Sequence, residues 1–103
     1  MRDRYLTVPK NEKGIEEYNS GIEHSDNLIE SVLSEDEFDT LYHSGVFKRL
    51  NERCGLMIDD YESEIINVDC INKCHDIIFS IPGAFSKMAD KAKTLNTILC
   101  LDF

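Results

Sequence analysis

Tryptophan is absent, there are two prolines and five scattered glycines, and cations are scarce, with 11 Lys plus Arg against 20 Asp plus Glu. The cation shortage excludes a binder of nucleic acid, because neutralising phosphates needs clustered Lys and Arg. Isolated glycines and prolines exclude linkers, low-complexity tracts and a glycine-rich phosphate loop. Long apolar runs are missing too. The stretch Ile77-Ile78-Phe79 is followed by Ser80, Ile81 and Pro82, and no apolar run exceeds four residues, far short of the ~20 residues of a membrane span. Behind Met1-Arg2-Asp3-Arg4 no apolar segment of signal-peptide length follows, so the expected location is the cytoplasm. In that reducing compartment Cys54, Cys70, Cys74 and Cys100 are expected as free thiols.

What is present suffices for one modest core: 103 residues, 42% of them hydrophobic. A single acidic helical domain over 1–103 is the expectation. Tyr5-Leu6-Thr7-Val8 reads as a short extended segment closed by Pro9, Asn11 and Gly14. From Ile15 to Leu33 the apolar spacing is helical, interrupted around Gly21 to Ser25. Ser34 followed by Glu35-Asp36-Glu37 is a helix start, with a hydroxyl cap and acids facing the positive end of the helix dipole. Val46, Phe47 and Leu50 begin another helix that should stop at Gly55. Tyr61 to Ile66 is taken as a short helix. Val68, Ile71, Cys74, Ile77, Ile78 and Ile81 form an amphipathic stripe, with Asn67 or Asp69 as its cap. Pro82-Gly83 breaks it, and residues 84–101 predict a terminal helix. The predicted class is all-α, with five to seven short helices.

No arrangement with chemistry stands out. Asp60-x-Glu62-x-Glu64 suggests alternating calcium ligands, but Ile65 occupies the position where the loop needs glycine and Ile71 the position of its last glutamate. Cys70 and Cys74 lie one helical turn apart, and a zinc site would need further ligands from elsewhere, such as His43 or Cys54. Cys74 belongs to an apolar stripe, so packing is the favoured role. Cys74 and His75 are adjacent and point about 100° apart on a helix, which prevents a nucleophile–base pair. No enzyme, metal or cofactor is expected.

Charge is distributed unevenly. Residues 35–69 hold a net −7, against −3 before them and +1 after. Glu35, Asp36, Glu37 and Asp39 form one cluster, and Asp59, Asp60, Glu62 and Glu64 a second. Such runs are commonly solvated surface or cap chemistry. The alternative is a recognition surface for a basic partner, with Tyr42 and Tyr61 as amphipathic anchors. Phe47 is a further anchor candidate but fits the core better.

Ser34 to Leu41, Gly45 to Asn51 and, above all, Leu56-Met57-Ile58-Asp59-Asp60-Tyr61-Glu62-Ser63-Glu64-Ile65-Ile66 resemble segments of small bacterial immunity proteins, those of contact-dependent growth inhibition systems. The resemblance covers about a third of the chain. It implies a cytoplasmic, non-enzymatic inhibitor that binds the C-terminal domain of one cognate toxin, in the first instance a basic nuclease. Occlusion by the acidic surface would be the mechanism, without contact to nucleic acid or membrane. A helical adaptor or regulatory subunit, a DNA mimic and a small metal-dependent enzyme remain as alternatives from other classes.

Overall fold

Residues 3–22, 24–59 and 63–103 are described by the computed structural model, and they correct the all-α expectation. The elements are β1 (Arg4–Pro9), α1 (Glu12–Asn19), β2 (Leu28–Leu33), α2 (Glu35–His43), α3 (Val46–Cys54), β3 (Ser63–Asn67), α4 (Val68–Lys73), α5 (His75–Ile78), α6 (Ala84–Thr94) and β4 (Ile98–Asp102). The strands form one sheet in the order β2-β1-β4-β3, with every pair antiparallel.

Strand alternation divides the sheet into two chemically different faces. Leu6, Val8, Leu33, Ile66, Leu99 and Leu101 join the hydrophobic core under α2 to α6. Tyr5, Thr7, Glu30, Val32, Ser63, Ile65, Cys100 and Asp102 share the parity of the other face. There α1 lies across part of the sheet, its Tyr18 hydroxyl reaching Asp102.

Three expected helical stretches are strands in whole or part, each for a physical reason. Leu28-Ile29 and Val32-Leu33 have spacings that fit a helix turn as well as a strand buried at both ends. Ile98 to Asp102 is a central strand with Leu99 and Leu101 in the core and Cys100 buried on the opposite face. Burial on both sides erases the polar alternation that would mark it. Ser63 to Asn67 runs beside β4 as an edge strand, where the expectation was a short helix.

Other local signals are borne out. Ser34 Oγ accepts the Glu37 N–H at 3.1 Å and opens α2. Gly55, with φ 65°, ends α3 in the left-handed region that glycine enters without penalty. Asn67 caps α4 by accepting the Cys70 N–H at 2.8 Å. The predicted helix of residues 68–81 is broken at Cys74, whose φ of −111° and ψ of 25° leave the helical range between α4 and α5. Phe38, Phe47, Phe85 and Phe103 gather in the core with neighbouring ring centroids 5.4–5.8 Å apart.

Candidate functional site

The acids proposed for recognition have different roles in the fold. Glu37 is structural: its Oε1 accepts the Ala84 N–H and its Oε2 the Phe85 N–H, both at 3.0 Å. A carboxylate from α2 therefore caps the start of α6, satisfying donors that the helix cannot satisfy itself. A Cβ at Gly83 would lie 2.6 Å from Glu37 Oε2, so a side chain there would push the capping carboxylate aside. Glu35 pairs with the buried Arg4 at 2.6 Å, and the Arg4 guanidinium stacks 3.7 Å above the Phe38 ring. Glu64 accepts the Met57 N–H at 2.9 Å and the Ile65 N–H at 2.9 Å, which fixes the approach to β3. These three carboxylates are engaged by partners within the fold.

Asp36, Asp39 and Asp59 are exposed. Tyr42 keeps 46% of its surface open while packing its ring on Phe38. Phe47 is a core residue at 2% exposure. Asp60, Tyr61 and Glu62 lie outside the described residues.

Losing the Glu37 cap has a defined cost. Glu37→Ala is expected to lower the unfolding free energy by about 2 kcal/mol, since two charge-assisted hydrogen bonds vanish and two helix donors are left unpaired. Asp36→Ala, one residue away and exposed, should change it by less than about 0.5 kcal/mol. Urea unfolding of both variants measures the difference. Equal effects would mean that the cap does not hold α6.

The register brings the end of β2, which leads into Glu35, and the start of β3, which holds Glu64, to one end of the sheet. Arg4 pairs with Leu33, Tyr5 with Asp102, and Asp102 with Ser63. The first cluster follows Leu33 directly, and Ser63 and Glu64 open β3 across the sheet, roughly 14 Å away at ordinary strand spacing. Asp3 joins this end, accepting the Tyr5 hydroxyl at 3.2 Å.

A cleft of about 580 Å³ runs along the sheet face opposite the core, from Tyr5, Ser63 and Asp102 to Leu28, between the strands and α1 with the turn after it. Tyr5, Tyr18 and Ile22 supply apolar wall, and Asp102, Glu30 and Ser63 supply polar groups. Asp102 is the focus. Its oxygens accept the Tyr18 hydroxyl at 3.1 and 3.0 Å and the Ser63 hydroxyl at 3.2 Å. Burial is the first cause holding the Tyr18 phenol protonated well above its ordinary range, with the Cys100 and Asp102 charges adding to it. Burial likewise pushes the Cys100 thiol up to about 12, so it is inert as a nucleophile at neutral pH. Glu17 pins the turn that borders the cleft. Its Oε1 accepts Asn27 Nδ2 at 2.7 Å and Ser25 Oγ at 3.0 Å, bonds that lower its pKa.

Sequence reading did not find Tyr5, Tyr18, Ser63 or Asp102. Their relation exists only through the β1–β4–β3 register, and a lone aspartate after an apolar run carries no local signal.

The cysteines also depart from expectation. Cys54 and Cys70 form a disulfide with a Cα–Cα distance of 6.0 Å, whereas Cys74 and Cys100 are free and buried. The disulfide ties the end of α3 to α4 across 16 residues. Cys74 lies in the core as its apolar stripe implied. No helix among the described residues is long and apolar enough to cross a membrane. No family model, curated protein or solved structure matches the chain.

Proposed function

We propose that this chain is a non-catalytic inhibitor, an immunity protein that binds a basic toxin domain, in the first instance a nuclease, in the bacterial cytoplasm. One observation carries the reading: a cleft with tyrosine walls holds the carboxylates of Asp102 and Glu30, on a chain whose formal net charge is −9. Tight association needs a desolvated centre as well as charge, because exposed ion pairs alone contribute little. The cleft offers such a centre. The aliphatic stem of a partner Lys or Arg would lie against Tyr5 and Tyr18, with its charged head toward Asp102 and Glu30. Asp36, Asp39 and Asp59 would act at longer range, drawing the basic surface in before contact. A toxin whose nucleic-acid cleft is occupied in this way is silenced by exclusion of substrate.

The test separates steering from anchoring. Reversing Asp36, Asp39 and Asp59 to Lys should slow association with the toxin domain encoded beside this chain by about tenfold or more, flatten its salt dependence and leave dissociation nearly unchanged. Tyr5→Ala should act oppositely, speeding dissociation. Surface-plasmon kinetics at two salt concentrations read both, and co-expression reads protection. Full protection by the triply reversed chain, with unchanged association, would refute the acidic-surface mechanism.

A further inference from the structure

On the helical side of the sheet, Cys54 ends α3, Cys70 lies within α4 and Cys74 sits at the break before α5. Their three sulfurs all lie within 4.8 Å of one another. Cys70 and Cys74 are four positions apart and project from one side of their turn, and α3 brings the third sulfur to meet them. The fold thereby supplies the partner that the Cys70/Cys74 spacing lacks on its own.

Two chemistries suit crowded sulfurs, and the shape of the group distinguishes them. Cys74 Sγ is 3.5 Å from Cys54 Sγ, close enough to attack the Cys54–Cys70 disulfide and release Cys70. Such exchange needs the three sulfurs nearly in line, which would separate Cys74 from Cys70 by roughly 5.5 Å for an ordinary S–S bond of ~2.05 Å. The observed group is tighter than that and forms a triangle. Thiolates around one ion at about 2.3 Å lie roughly 3.8–4.0 Å apart, in tetrahedral or trigonal arrangement. A triangle is the shape of a ligand set.

The geometry points to a thiophilic d10 cation, Zn²⁺ or Cu⁺, bound by Cys54, Cys70 and Cys74 in the reduced chain, at a site that the Cys54–Cys70 disulfide closes. Two molecules of a glutathione-class thiol deliver two electrons and two protons to that disulfide and leave as their own disulfide. The ion then displaces the three thiol protons. Sulfur-only donors select soft ions over Mg²⁺ or Ca²⁺. The group contains no carboxylate or imidazole among the described residues, and the His75 ring is stacked on Phe79 at 4.5 Å. Trigonal Cu⁺ needs no fourth ligand. Tetrahedral Zn²⁺ would take water from the pocket of about 240 Å³ that Cys54 and Cys70 border together with Arg53 and Lys73. Lys73 offsets part of the negative charge left by three thiolates on either ion, while Arg53 is shared with Asp76 at 3.5 Å and Asp69 borders the same pocket. Lys73 is held there by donating to the Arg53 carbonyl at 3.1 Å.

The experiment reduces the purified chain under argon with a phosphine, titrates separate samples with Zn²⁺ and with Cu⁺, dialyses them and counts metal per chain. One equivalent is expected in at least one arm, and the arm that retains it identifies the ion. The loaded chain should melt at higher temperature than the reduced metal-free chain, and the disulfide form should retain no metal. Cys74→Ala should weaken binding at least tenfold, as should Cys54→Ser, which replaces a half-buried residue and serves if Cys74→Ala does not fold. Cys100→Ser, on the opposite face, should bind as wild type. Absence of stoichiometric metal in both arms overturns the proposal. So does equal binding by the disulfide form, or undiminished affinity in Cys54→Ser.

Discussion

Phe47→Ala is expected to lower the unfolding free energy by about 3–5 kcal/mol, the largest effect of any single change considered. Phe47 is 2% exposed, and its ring meets Phe38 at 5.8 Å, Phe85 at 5.6 Å and Phe103 at 5.6 Å. It therefore joins α2, α3, α6 and the end of β4 through one side chain. Truncation leaves a cavity lined by three rings whose positions are fixed by their own elements, so collapse around it is limited. A domain of this size has about 5–15 kcal/mol in total, and the variant should begin to unfold at markedly lower urea. A loss below about 1 kcal/mol, typical of exposed positions, would mean that the aromatic group is not the centre of the core.

Gly14→Ala is expected to invert a familiar sign. Within a helix this exchange normally stabilises by up to ~1 kcal/mol. Here it should destabilise by about 2 kcal/mol and lower the melting temperature by roughly 8–16 °C. The reason is where α1 rests. A Cβ on Gly14 would press into the backbone carbonyl of Asn27 and come 3.1 Å from Pro9 Cβ. That carbonyl cannot yield freely, since it already accepts the Lys10 N–H at 2.8 Å. Calorimetry of Gly14→Ala decides the matter, and a rise in melting temperature would show that α1 is free to lift from the sheet.

The contrast between Gly14 and Ser34 shows what was legible in the sequence. Ser34, Gly55 and Asn67 act within a few residues of themselves, so caps and stops could be read directly. Gly14 could not: its neighbour is Asn27, and the turn that places it depends on Glu17 holding Ser25 and Asn27. Helical periodicity misled at Leu28 to Leu33 and Ile98 to Asp102 because tertiary burial, not local spacing, decides such short apolar runs. The acidic clusters were visible as composition. Their division into caps, an ion pair and solvent-exposed carboxylates was not, because Glu37 finds its partners at Ala84 and Phe85 and Glu35 finds Arg4. Asp102 was invisible for the same reason, since its site is made by strands that start almost a hundred residues apart.

That distance has a consequence for how the chain is made. β1 and β4 are neighbours at the centre of the sheet, yet one is near the beginning of this sequence and the other at its end. At ribosomal speeds of ~5–20 residues per second, roughly 5–18 s separate the synthesis of Pro9 from that of Ile98. Throughout that interval β1 and β2 can pair only as a two-stranded ribbon, which has little stability alone. Leu6 and Val8 wait without Leu99 and Leu101 beside them. The nascent chain therefore carries the apolar face of β1 uncovered, and needs shelter from other chains until the last central strand arrives.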